Sequence, residues 1–185
     1  GFELIERALE TAEIPARVYH PTHINRERWL FDAAKKLVTR GVTVDLTAFP
    51  DDGETLMAAD AIAEWHAQGH PMEQLTCSSD GAGCLPTFDD DGRLIDMDIG
   101  DPITLLQAIQ RLLELQVPLE EFLPVFTSNV ARVLALHGKG RVAVGADADL
   151  AVLTPEGELR QLWACGQLMV EDGTVCTPGP FESTT

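Results

Sequence analysis

The run Leu75-Thr76-Cys77-Ser78-Ser79-Asp80-Gly81-Ala82-Gly83-Cys84 carries a carboxylate out of an apolar-to-small stretch onto a glycine-containing loop. β-Branched and small residues suit a buried strand, and Gly81 and Gly83 accept backbone angles that other residues resist. An ionised carboxylate at the mouth of a core is costly unless a cation or hydrogen-bond donors meet it. Asp80 is therefore the first candidate for chemistry, with an Asx-turn closing the strand as the competing reading. His23, in Pro21-Thr22-His23-Ile24-Asn25-Arg26, is the second, because a neutral imidazole at a strand end can ligate zinc. A histidine merely hydrogen-bonded in its loop is the alternative. Arg26 offers a planar fork for a substrate carboxylate, or is a surface arginine at a helix start. His20, on the opposite side of a regular strand from His23, is assigned to structure. His66, His70 and His137 suit helix ends. Cys84 has no sequence-adjacent base to make it a nucleophile. One histidine and one aspartate fall short of the three or more protein ligands usual at a metal.

The elements that must position these residues follow from periodicity and punctuation. Apolar spacing predicts a helix over residues 2–13, ended by Pro15, then a short strand-like run finishing at His23. A second helix runs from Asn25 with Trp29, Phe31, Ala34, Leu37 and Val38, closed by Arg40-Gly41. Val42 to Phe49 alternates as a strand with Thr43, Asp45 and Thr47 on its polar face, and Pro50 stops it. A helix from Glu54 to Gln68, the strand at Leu75 and a helix over 103–116 complete the alternation. Strands alternating with helices imply a parallel sheet with helical crossovers, an α/β architecture. Ligands sit at the carboxyl ends of such strands, where His23 and Asp80 both fall. Asp45 and Thr47 are expected to support the site by hydrogen bonding rather than as ligands.

Beyond two short helices between Pro118 and His137, the texture changes to short β-type runs. These are Arg141–Val144, Asp149–Leu153, Leu159–Cys165 and Leu168–Val170, with a turn at Glu171-Asp172-Gly173 and a loosely held tail from Thr177 to Thr185.

Length and composition bound the function. A chain of 185 residues, 45% hydrophobic, suits one sizeable core and a small second module. The net charge of −17 argues against nucleic acid, whose phosphates require clustered Lys and Arg. No apolar run approaches the roughly 20 residues of a membrane span, so no membrane partner is expected. The four cysteines show no CxxC spacing, which fits a reducing cytoplasm better than a disulfide framework or zinc knuckle. The opening Gly1-Phe2-Glu3-Leu4-Ile5 reads as mid-helix, as if cut from a longer gene.

The words Pro21-Thr22-His23-Ile24-Asn25-Arg26, Leu75-Thr76-Cys77-Ser78-Ser79-Asp80-Gly81 and Phe88-Asp89-Asp90-Asp91-Gly92 closely resemble the isoaspartyl dipeptidase (beta-aspartyl peptidase) family. Gly140-Arg141-Val142-Ala143-Val144-Gly145-Ala146-Asp147-Ala148-Asp149-Leu150 resembles the returning strand of the wider amidohydrolase superfamily. The resemblance implies the C-terminal portion of a TIM-like (β/α)8 barrel in residues 1–138, holding strands six to eight and their helices. Residues 139–178 would be a small β-sandwich segment and 179–185 a tail.

The resemblance also implies two zinc ions, with His23 as the strand-six ligand and Asp80 as ligand and general base. Arg26 would bind the dipeptide's carboxylate, and Cys84 would stand in the substrate loop where the family commonly has serine, a better hydrogen-bond donor. A hydroxide held between the metals would attack the β-aspartyl amide of a small dipeptide. The family's first five strands have no counterpart in this chain. With them go its His-x-His pair, its carboxylated lysine and its strand-five histidine. The resemblance further implies a homo-oligomer when complete. Alternatives are another amidohydrolase, of D-aminoacylase or hydantoinase type, or a non-catalytic fragment; Arg26 beside His23 favours the peptidase. The segment alone is expected to be inactive, and aggregation-prone or oligomeric.

Overall fold

Val42 to Ala48 form a continuously buried run, and the rest of the α/β unit is arranged around it. The computed structural model describes residues 2–51, 53 and 55–179. Within that run β1 spans Val44–Thr47 and pairs in parallel with β2, Leu75–Ser78. The register sets Asp45 opposite Thr76 and Thr47 opposite Ser78, so one face of the pair is polar. Val44, Leu46, Leu75 and Cys77 occupy the other, and all four are buried.

Helices cover the apolar face. α1 is Glu3–Thr11, α2 Arg28–Val38 and α3 Ala58–Ala67. Phe31, Ala34, Leu37 and Val38 recur at helical spacing along α2, and Ala58, Ala61, Ile62 and Trp65 along α3. Trp65 is fully buried, tilted against Phe31 at 5.7 Å, and its indole N–H donates to the Pro71 carbonyl at 3.2 Å. α4 (Ile103–Glu114), α5 (Leu119–Phe126) and α6 (Ser128–Val133) complete this core with Leu112, Phe122 and Val125.

The remaining strands form two antiparallel sheets. β3 (Cys84–Phe88) and β4 (Leu94–Ile99) make a hairpin between Asp80 and α4. The Asp89 carboxylate accepts from the backbone N–H of Asp91 and Arg93, tying its turn. β5 (Leu150–Leu153), β6 (Leu159–Ala164), β7 (Gln167–Glu171) and β8 (Thr174–Val175) follow as a meander.

Several expectations need correction. The run ending at His23 is a 3₁₀ turn, Ala16–Val18, followed by extended chain rather than a strand. Pro21 has no N–H for a ladder, and just two backbone bonds tie the segment to β1, Asp45 N–H to Pro21 O and Ile24 N–H to Asp45 O. The second helix starts at Arg28, because the Asn25 side chain is engaged with the end of β1 instead of capping a helix. The third helix begins at Ala58; Glu54, its expected start, lies outside the described residues. Arg141–Val144 forms no strand, and Val142 and Val144 are 88% and 109% exposed. The hairpin and β8 were not anticipated. Of the tail, residues 180–185 lie outside the described residues. Among the described residues no helix is long and apolar enough to cross a membrane.

Candidate active site

The polar face of β1 and β2 closes on the Asp45 carboxylate. Oδ1 accepts from Thr76 Oγ1 at 2.6 Å; Oδ2 accepts from Ser78 Oγ at 2.6 Å and Thr22 Oγ1 at 2.7 Å. Thr22 precedes His23, and Ser78 lies just before Asp80 along the chain. One buried carboxylate thus ties together the two segments that carry the candidate residues. His20, half-buried, joins the cluster through Thr76 Oγ1 at 2.9 Å. Burial lowers its pKa, and the Asp45 charge opposes that shift.

His23 leaves the extended segment with φ of 60°, a left-handed conformation uncommon outside glycine. Asn25 holds the following turn: its Nδ2 donates to the carbonyls of Thr47 and Leu56, and its Oδ1 accepts from Thr47 N–H. His23 Nδ1 sits 2.8 Å from Thr47 Oγ1, and the ring stacks on Phe49 with centroids 5.7 Å apart. With Nδ1 engaged, Nε2 is the open nitrogen, and it faces Asp80 Oδ2 at 4.0 Å.

Asp80 also adopts a left-handed φ, 51°, as does Ala82 at 63°. Gly81 and Gly83 do not, so the reason for glycine at 83 is space. A Cβ there would lie 2.7 Å from the Asp80 carbonyl oxygen and 2.8 Å from its carboxylate. A Cβ on Gly100 would come within 2.4 Å of that carbonyl oxygen. The Asx-turn reading is not met: among the described residues no backbone N–H donates to the Asp80 carboxylate, and the loop closes instead through Gly83 N–H to the Asp80 carbonyl at 2.8 Å and Gly81 N–H to Ser79 Oγ at 3.1 Å.

Arg26 and Cys84, both exposed, line one cleft of about 570 Å³ together with Phe49, Pro86 and Phe88. The Arg26 guanidinium carbon stands 5.2 Å from the centroid of the Phe49 ring. Sequence reasoning missed Asn25 and Phe49. An aromatic directly before the proline that ends a strand was the available signal for the latter.

Nε2 of His23 and the Asp80 carboxylate are suitable zinc donors, and Thr47 Oγ1 stands at the other ring nitrogen, where a carboxylate, carbonyl or water usually orients a metal-binding imidazole. Among the described residues no group of three or more His, Cys, Asp or Glu could hold a metal alone.

Residues 11–169 match the amidohydrolase family. The chain belongs to that family. As an amidohydrolase it is similar in structure to a beta-aspartyl dipeptidase from the thermophilic, keratin-degrading Fervidobacterium islandicum AW-1, solved in complex with beta-Asp-Leu dipeptide. That match has a TM-score of 0.86 and 36% identity over 98% of this chain and 47% of that one. A second structure of the enzyme from that organism matches at TM-score 0.80 and 32% identity, over 98% and 45%. N-acetylglucosamine-6-phosphate deacetylase from Thermotoga maritima shares the fold at TM-score 0.52 and 20% identity, over 71% and 39%. This amidohydrolase chain spans about half the length of the beta-aspartyl dipeptidases it matches.

Proposed function

We propose that the protein containing this chain is a zinc-dependent hydrolase of the β-aspartyl (isoaspartyl) bond of dipeptides. The observation that carries the reading is the meeting of His23 and Asp80 at 4.0 Å, beside a cleft bearing Arg26. It is supported by 36% identity to a beta-aspartyl dipeptidase holding beta-Asp-Leu. In this reading residues 1–138 are strands six to eight of a (β/α)8 barrel with their helices, and 139–178 belong to a small β-sandwich. The remaining metal ligands come from outside this chain, and the complete protein is a cytoplasmic homo-oligomer.

His23 and Asp80 would each hold one of two zinc ions. Bound there, zinc lowers the pKa of water towards neutrality and polarises the amide carbonyl. The chain's own residues supply the rest. Thr47 fixes the His23 ring so that Nε2 stays turned to the site. Asp80 takes the proton of the attacking water and passes it to the departing amine, a carboxylate shuttling one proton between oxygen and nitrogen. Arg26 holds the leaving residue's α-carboxylate with two parallel N–H donors, which fixes the amide in register. Cys84 borders the same cleft, and its thiol is a weaker donor than a hydroxyl would be.

Assay of the full-length protein on beta-aspartyl-leucine against a hydantoin tests the reading. Turnover of the dipeptide, with Asp80→Asn reducing kcat by about 10²- to 10⁴-fold, is expected. Activity confined to the hydantoin would rule the peptidase out.

A further inference from the structure

Phe49 touches both halves of the site. Its ring stacks on His23 at 5.7 Å with 25° between planes, and it carries the Arg26 guanidinium at 5.2 Å from its centroid. Its backbone is anchored to the end of the sheet: Ala48 N–H donates to Ser78 O at 2.8 Å, and Phe49 N–H to Thr47 O at 2.9 Å. Pro50 then fixes the exit of the chain. The ring is half-buried and also walls the cleft that holds Arg26 and Cys84.

An exposed arginine normally samples many rotamers, and each hydrogen bond it makes must first overcome that freedom. Among the described residues no carboxylate pairs with the Arg26 guanidinium, so its N–H fork is available to a ligand. The face of an aromatic ring attracts the flat guanidinium and leaves its in-plane N–H groups pointing outward. Phe49 therefore restrains Arg26 without consuming its donors.

Resting on the peptidase reading above, we infer that Phe49 is a positioning residue: it aligns Arg26 for the leaving residue's α-carboxylate and keeps that grip in register with His23. Phe49 touches no reacting atom. Its contribution is recognition of a carboxylate over a neutral amide at the same place.

The test compares L-leucine with L-leucinamide, binding each by calorimetry to the metal-depleted full-length protein, with beta-aspartyl-leucine kinetics on the zinc-loaded form alongside. In Phe49→Leu the preference for leucine over leucinamide is expected to fall about three- to fivefold. KM for beta-aspartyl-leucine should rise by a similar factor, with kcat within about twofold of the parent. Phe49→Tyr keeps the aromatic face and should keep the preference. Should Phe49→Leu not fold, Phe49→Met gives the same reading. An unchanged preference in the aliphatic variants, an equal loss of both ligands, or a parent with no preference for leucine would each overturn the inference. If the parent prefers leucine but does not cleave beta-aspartyl-leucine, the peptidase reading falls while the leucine preference still decides the role of Phe49.

Discussion

β1 and β4 are short strands with interleaved apolar and acidic residues, and they meet opposite fates. Every residue of β1 is buried, Asp45 included, whereas every residue of β4 is exposed, with Ile95 at 63% and Ile99 at 65%. β1 has β2 on one edge, the Pro21–Ile24 segment on the other and helices over its apolar face. β4 has β3 alone. Alternation sets which side chains share a face; neighbours decide whether that face is dry. The scaffold that aims His23 and Asp80 is thus packed within this chain, while the hairpin beside the substrate cleft and the sheet β5–β8 keep apolar surface uncovered.

The largest expected effect sharpens that contrast. Trp65→Ala removes the largest side chain of the buried core and should cost about 3–5 kcal/mol in equilibrium urea unfolding. A cost below about 1 kcal/mol would mean that the core around β1 is no better packed than the hairpin. Next is Asp45→Ala, which strips the hydroxyls of Thr22, Thr76 and Ser78 of their acceptor. It should destabilise by about 2–4 kcal/mol. Asp45→Asn retains one acceptor oxygen and should lose less, and an equal loss in both would show that backbone packing, not the carboxylate, holds the segments together.

Legibility in the sequence follows the same division. α2, α3 and α4 were readable because each presents an apolar stripe to the core and has a glycine or proline near an end. The parallel unit and its polar face, with Asp45 and Thr47 as supports, were readable from Val42–Phe49. The hairpin was not: Pro86 interrupts the first strand, and Asp89-Asp90-Asp91 reads as solvated loop. The alternation from Leu94 to Ile99 after Gly92 was the overlooked signal. Val142–Val144 failed in reverse, having β composition and no strand beside it among the described residues. At the site, the strand end before Asp80 was legible, but His23 follows extended chain rather than a strand, and their 4.0 Å approach depends on left-handed backbone at both residues. The stacking of His23 and Arg26 on one ring depends on side-chain rotamers, which no spacing rule encodes.

A smaller effect concerns how α2 is held to α3. Glu64 accepts from Arg28 twice at 2.6 Å and from Lys35 Nζ at 2.9 Å. The Arg28 hydrogen bonds, followed by those of Lys35, hold its pKa at about 2 against an ordinary 4.5, although partial burial would raise it. A depressed carboxylate pKa contributes stability that is complete above the unfolded value and lost as pH falls through the folded one. The loss therefore falls between about pH 4.5 and pH 2. For partly exposed side chains it should not exceed about 1 kcal/mol. Glu64→Gln should flatten the stability profile in that window and leave its slope above pH 5 unaltered; an unchanged acid limb would show that the network adds nothing to the helix pair.

The smallest effect on stability carries the clearest statement about the exposed region. Ile95 and Ile99 make no core contact, so replacing both by lysine should change unfolding free energy by no more than about 0.5 kcal/mol each. The effect on association should be much larger. An edge hairpin with exposed Phe88, Leu94, Ile95, Met97 and Ile99 offers apolar area to any similar edge. The chain alone should sediment as a concentration-dependent oligomer or aggregate, and the double lysine variant should shift it towards monomer. Lysine is the side chain that blunts strand edges most cheaply, because its charge resists desolvation while its stem still covers neighbouring carbons. A monomeric parent chain would show that the hairpin's apolar residues need no cover, and the contrast between β1 and β4 would then be one of position rather than of unmet burial.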